Sequence, residues 1–519
     1  MRAHYSTDHE LGENNVQLVG LDIHNPVFVV SALLIVLFVA AALIAPAEAQ
    51  SLLDGAKNWS IKHFDWLFMS ASNWFVIFCL AIMILPVGRM RLGGADAKPD
   101  FSRLSWFGML FAAGMGIGLM FWAVAEPIAY YTDWWGTPLN VAPNNQAAAD
   151  AAMAATLFHW GFHPWAIYGV VGVALAYFTF NKGLPLTIRS AFYPLLGERV
   201  WGRAGDVIDI LAVLATIFGL ATSLGFGAQQ ASSGLNFLFG FEDGLSTQLM
   251  VIVGVTSIAV ISVIRGLSNG VRILSNFNML LAMCLLAFVF IVGPTLVILN
   301  TMGSTLGGYL ENILPLSNWV ARDDEKFFHG WTVFYWAWWV SWSPFVGMFI
   351  ARISKGRTLR EFMSSVLILP VVVTLVWMSV FGGSALEQAQ NGIGELANGL
   401  SSVSLAMFQM LENLPLTEIS SFIAIILVMV FFVTSSDSGS LVIDSITSGG
   451  KLDAPVPQRI LWAVLEGLIA IALLYGGGSE ALKALQAGAI TTGLPFTIIL
   501  VLMSISLAKA LANDYKHYK

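Results

Sequence analysis

The feature that most constrains this chain is a succession of apolar runs, each long enough to cross a bilayer, separated by short segments of charge, Gly and Pro. A helix rises about 1.5 Å per residue and satisfies its own backbone in lipid, so roughly 20 apolar residues cross the hydrocarbon layer. Twelve runs qualify, centred in 26–46, 66–88, 104–130, 155–180, 205–235, 247–264, 274–300, 329–350, 362–383, 417–442, 457–476 and 482–511. Hydrophobic residues make up 57% of the 519 and charged residues only 11%. That balance excludes an ordinary soluble protein. An all-α membrane protein of about 12 transmembrane helices is expected, with the stretch GYLENILPL before the eighth run too short to cross and expected at the interface.

Charge sets the orientation. Twenty of the 25 Lys and Arg fall in alternate segments, those around 89–103, 182–203, 265–272, 352–360 and 451–459 together with the two tails. The positive-inside rule then places both termini in the cytoplasm and requires an even number of spans. The first 25 residues are polar and acidic rather than a basic leader, so the first apolar run is expected to be retained. Cys79 and Cys284 lie inside apolar runs, which supports neither a disulfide framework nor a cysteine metal cluster. His159 and His163 are four apart, a zinc-compatible spacing, but no third ligand lies near them in sequence.

Two runs carry helix breakers at mid-membrane. The third contains Gly114-Met-Gly-Ile-Gly118 and the eighth contains Ser343-Pro-Phe-Val-Gly347. Five spans separate them in order, so they head two consecutive five-helix units, and because five is odd the units have opposite orientation. Paired interrupted helices in inverted repeats are the sequence pointer to a secondary transporter's binding site. The expected divisions are a tail over 1–25, two peripheral helices over 26–103, a first repeat over 104–302, an interfacial helix and loop over 303–328, a second repeat over 329–512 and a short tail over 513–519.

Residues 331–358, WTVFYWAWWVSWSPFVGMFIARISKGRT, hold five tryptophans, and helical spacing brings Trp338, Trp339 and Trp342 together. Pro344 and Gly347 predict a break just beyond them. Indole faces attract cations, quaternary ones above all. In span 4, FHWGFHPWAIY, Pro164 predicts a bend. Of the ionisable residues inside the runs, Glu126 is expected at the water boundary and Asp437 is expected to pair with a cytoplasmic arginine or to satisfy backbone N–H groups.

The stretches GMGIGLMFWAVAEPIAYY (114–131), the tryptophan segment with its ARISKGRT tail, and FFVTSSDSGS (431–440) resemble the signatures of the betaine/choline/carnitine transporter family, and the likeness runs over essentially all twelve spans. The resemblance implies a fold of the leucine-transporter type, two inverted five-helix repeats preceded by two extra helices. It implies a substrate box of Trp160, Trp165, Tyr168, Trp338, Trp339 and Trp342. It implies a sodium site at the backbone carbonyls of Ala112, Met115 and Phe431 with the hydroxyls of Thr434 and Ser435, and a second at Thr216, Tyr168 and Phe345. That second site is weakened here, because Leu220 stands where the family has another threonine. Relatives that take choline resemble GMGID, with aspartate at the position of Gly118. Glycine there implies a zwitterion, since betaine brings its own carboxylate and a second anion would repel it.

The expected function is therefore sodium symport of glycine betaine or dimethylsulfoniopropionate through an aromatic cage in the bacterial cytoplasmic membrane. No cofactor beyond the coupling ion and no nucleic-acid partner is expected, and the resemblance implies a homotrimer. A proton-coupled choline or carnitine transporter is the alternative. A membrane-embedded enzyme on choline-like headgroups is more remote, because no nucleophile or base with partners stands beside the tryptophans. A channel is disfavoured by a closed cage. Osmotically regulated relatives have a long charged extension, and the short tails here predict uptake without hyperosmotic activation.

Overall fold

A computed structural model describes residues 5–114, 116–265 and 268–518, and it is helical almost throughout. The first half contains α1 (Val27–Ile44), α2 (Pro46–Ile84), α3 (Arg103–Gly114), α4 (Ile117–Tyr131), α5 (Gln146–Trp160), α6 (Phe162–Phe180), the single turn α7 (Tyr193–Leu196), α8 (Arg203–Phe239), α9 (Leu245–Ile264) and α10 (Ser268–Val292). Then follow α11 (Thr295–Leu316), the short α12 (Glu325–Phe327), α13 (Val333–Ile353), α14 (Leu359–Gln390), α15 (Ala406–Glu412), α16 (Thr417–Thr447), α17 (Val456–Gly477) and α18 (Ala481–Tyr518). All twelve expected runs fall on helices.

By length and hydropathy alone, nine helices among the described residues could cross a membrane, or ten if the bent pair α3–α4 is one span. One of the nine, 456–516, is α17 and α18 in series, parted at Gly478 with φ 51°. α13 does not enter that count, because its tryptophans and serines depress hydropathy. It is nevertheless buried along nearly its whole length. The burial pattern fits a bilayer. α4, α6 and α13 are buried on every side, whereas α1, α9 and α10 turn Leu33, Leu37, Val253, Ile261, Leu280 and Ile291 outward. A soluble monomer would not leave such continuous apolar faces open, and lipid covers them. The chain is an all-α, multi-pass membrane protein.

Both described tails lie on one face with the basic segments. The N-terminal tail forms a hairpin, β1 (Asn15–Leu18) against β2 (Leu21–His24), closed by Val19 and Gly20 at positive φ. Asp22 pairs with Lys451 at 2.6 Å, His24 meets Asp206 at 3.2 Å, and Tyr5 N–H donates to the Lys182 carbonyl. From the other terminus, Asp514 pairs with Lys182 at 2.6 Å. Arg91 bridges to Thr358 on the same side. We call this the tail face; its formation requires an even number of crossings.

Three local expectations are corrected. α13 is not broken: it continues through Pro344 and Gly347 to Ile353. The Ser343 hydroxyl donates to the Val340 carbonyl at 2.7 Å and occupies the acceptor that the missing proline N–H leaves open. Span 4 is interrupted at Gly161, not at Pro164. Pro164 sits in the first turn of α6, where backbone N–H groups have no helical partner and proline is tolerated. Finally, the interfacial segment is part of α11, which begins at Thr295. The predicted bend in span 3 is present, with α3 and α4 at 61°.

Candidate functional site

α13 packs along α6 and α8, and the broken ends of α4 and α5 abut its tryptophans. There they line a small pocket, with a cavity volume of about 50 Å³. All six predicted cage residues, Trp160, Trp165, Tyr168, Trp338, Trp339 and Trp342, line it together with Gly116, Gly118, Ser223 and Thr374. No Asp, Glu, Lys, Arg or His is among the lining residues. Trp160 meets Trp339 edge to face at 4.8 Å, Trp338 stacks on Trp339 at 4.7 Å, and Tyr168 stands at 81° to Trp339.

Four of the indole N–H groups are bound within the protein, which fixes the ring planes. Trp339 donates to the His159 carbonyl at 2.8 Å, Trp338 to the Ser223 hydroxyl at 3.2 Å, and Trp342 to Ser223 at 3.0 Å and the Gly219 carbonyl at 3.1 Å. Trp160 donates to Glu126 at 2.7 Å. Ser223 was not anticipated from sequence; a serine in an apolar helix gives no signal of what it faces. The arrangement offers ring faces to a bulky cation and no anion at the wall.

Gly118 sits where size matters. A Cβ there would lie 2.8 Å from the outer carbons of both Trp160 and Trp338, closer than real contacts allow. The glycine therefore sets how near the two indoles approach, in addition to leaving out a charge.

Glu126 is the main residue that sequence reasoning misplaced. It is not at the water boundary but fully buried. Its carboxylate accepts from the hydroxyls of Tyr130 at 2.8 Å and Tyr335 at 2.6 Å, from Trp160, and lies 2.9 Å from His159 Nδ1. Several donors are what permit a buried carboxylate. Through Trp160 the Glu126 carboxyl group touches the back of the cage. His159 also meets the Thr332 hydroxyl at 2.9 Å, and His163 bonds Asn73 at 3.0 Å. Among the described residues no metal-ligand cluster forms.

Of the first ion site, Met115 lies outside the described residues. Thr434 donates its hydroxyl back along α16, to the Val430 carbonyl at 3.0 Å and the Phe431 carbonyl at 3.2 Å, a bond threonine ordinarily makes inside a helix. α16 reaches the broken end of α4 where Gly227 of α8 faces both Ile117 and Val428. The second set fits poorly. Leu220 packs its methyl groups against Gly439 in place of a hydroxyl, and the Thr216 hydroxyl is donated to the Ala212 carbonyl at 2.6 Å. Phe345 instead packs edge-on to Trp342. Asp437 pairs with Arg459 at 3.3 Å, as expected.

A multi-pass helical protein with a buried, uncharged aromatic pocket at a broken helix has the form of a carrier. Residues 26–516 match the family described as BCCT, the betaine/carnitine/choline family transporter, and this chain belongs to that family. Similar proteins include glycine betaine transporter 1 of Vibrio parahaemolyticus, 62% identical over 98% of both chains. A glycine betaine/proline/choline/ectoine transporter of the same organism is 57% identical over 99% of this chain and 92% of its own. A glycine betaine transporter of Bacillus subtilis is 43% identical over 92% of each. The protein is a transporter and not an enzyme.

Proposed function

We propose that this chain imports glycine betaine, or its sulfonium analogue dimethylsulfoniopropionate, by sodium symport with alternating access. The observation that carries the reading is the uncharged wall of the cage. A methylated cation with its own carboxylate needs ring faces and no countercharge, whereas choline would bring an unbalanced positive charge. Relatives named as glycine betaine transporters at 62% and 43% identity support the same substrate. The Thr434 and Ser435 hydroxyls with the carbonyls of Ala112, Met115 and Phe431 would hold the sodium ion. The tail face would be cytoplasmic, in the bacterial inner membrane, with the protein assembled as a homotrimer by likeness to its family.

The test is uptake of labelled glycine betaine into proteoliposomes with and without a sodium gradient, with betaine, the sulfonium and choline as competitors. Accumulation is expected to need sodium and to be displaced by both zwitterions well below the choline concentration required. Because the 57% relative carries choline in its name, choline winning the competition is the outcome that would overturn the assignment. Uptake driven by a proton gradient and indifferent to sodium would overturn the coupling.

A further inference from the structure

The cage and the ion site leave one ionisable side chain in the middle of a membrane span unexplained. Glu466 lies at the centre of α17, in the run LWAVLEGLIAIALL, and is fully buried. Its Oε2 accepts a single long hydrogen bond, 3.3 Å, from Ser436 of α16, and its Oε1 has no partner. Glu126, equally buried, has four. An ionised carboxylate this poorly supported is strongly disfavoured inside a membrane protein.

No countercharge comes from the surrounding elements. α1 and α9, packed on α17, contain no Asp, Glu, Lys, Arg or His. On α16, Asp437 is committed to Arg459 of α17, and Asp444 lies further toward the tail face. On α8, Asp206 and Asp209 are bound to Arg189. The charged residues of α2 and α18 are confined to the outer half of the one and the two ends of the other, and β2 carries Asp22 and His24 at the tail face. Among the described residues Glu466 makes no ion pair.

We propose that Glu466 is a proton-binding site, a carboxyl that holds its proton while α16 and α17 are packed as here and releases it when they part. The O–H bond to Glu466 breaks and the proton passes to water at the tail face along the α16–α17 seam. Ser436 and Asp437 line that seam on α16, and Arg459, a quarter exposed, stands two turns before Glu466 on α17. The proton site does not rest on the sodium reading.

The experiment is glycine betaine uptake into proteoliposomes under a fixed sodium gradient, with pH varied equally on both sides from about 6 to 9. Wild-type uptake is expected to fall about tenfold per pH unit above its midpoint, as a single carboxyl empties. Glu466→Gln, the neutral near-isostere, is expected to stay within about twofold across the range, as the loss of one titrating group requires. A wild-type profile in that variant, or no pH dependence in the wild type, overturns the proposal. Should Glu466→Gln fail to assemble, Ser436→Ala removes the one donor to the ionised form and moves the midpoint to higher pH; an unmoved midpoint overturns it too. A parallel arm with potassium replacing sodium isolates the coupling. Indifference to sodium, with the pH dependence still abolished by Glu466→Gln, would sink the sodium reading and leave the proton site standing.

Discussion

The third and eighth spans both carry helix breakers in mid-membrane, glycines in the one and a proline with a glycine in the other, and treat them in opposite ways. Between α3 and α4 the chain turns by 61°, with Gly116 fully extended at φ −176° and ψ −173°. α13 runs unbroken through both Pro344 and Gly347. The difference lies in what replaces the lost helical bond. In α13 the Ser343 hydroxyl takes the carbonyl that proline frees, and Gly347 serves close approach: its Cβ would lie 2.5 Å from Val171 and 3.1 Å from the Gly172 nitrogen of α6. At the α3–α4 break the extended backbone of Gly116 lines the pocket instead. The broken helix thus supplies open backbone at the pocket, and the continuous one holds three tryptophans at fixed helical spacing.

The largest effect on this division of labour is expected from the continuous side. Trp339→Ala or Trp342→Ala should abolish uptake, each losing a cation contact of ~2 kcal/mol and at least one tenfold step in affinity at ~1.4 kcal/mol per step. Trp338→Phe should be milder, because a phenyl ring keeps an aromatic face stacked on Trp339. Unchanged substrate affinity in both alanine variants at normal expression would break the cage.

On the broken side, Gly118→Ala should already cost ~1–3 kcal/mol by pressing on Trp160 and Trp338, lowering affinity about tenfold or more. Gly118→Asp should also move the choline-to-betaine inhibition ratio toward choline. A neutral alanine variant would show that the indole spacing is not set there.

Smaller effects separate the two glycines by role. Gly347→Ala should lower stability by ~1–3 kcal/mol, read as an earlier thermal unfolding in detergent, since α13 must move off α6. Ser343→Ala should cost ~1 kcal/mol by orphaning a buried carbonyl. Gly116→Ala should change stability by less than ~0.5 kcal/mol, because nothing lies within 4 Å of the new methyl group and extended backbone suits any residue. A large loss there would mean that the break needs glycine itself.

Much of the cage was legible because aromatic side chains at i, i+3 and i+4 on one helix must share a face, and because a resemblance over the whole chain supplied Trp160, Trp165 and Tyr168. The carboxylates were not legible. Nothing in AVAEPIAYY distinguishes Glu126 at a water boundary from Glu126 bonded to residues of α4, α5 and α13, and Glu466 in LWAVLEGL is one letter in an apolar run. The N-terminal hairpin was likewise read only as a polar tail, since its partners Ser448, Lys451 and Gln458 lie far along the chain.

The sequence by itself determined that the chain is a series of apolar helices, that basic segments gather on one face, and how the tryptophans are spaced on α13. These follow from local rules of hydropathy, charge and helical period. Only the tertiary structure decided which breakers break, which way the indoles are locked, and that one buried carboxylate is satisfied while another is left nearly bare. Each of those depends on a hydrogen-bond partner or a van der Waals neighbour from another helix, and no single stretch of chain encodes where such a neighbour will stand.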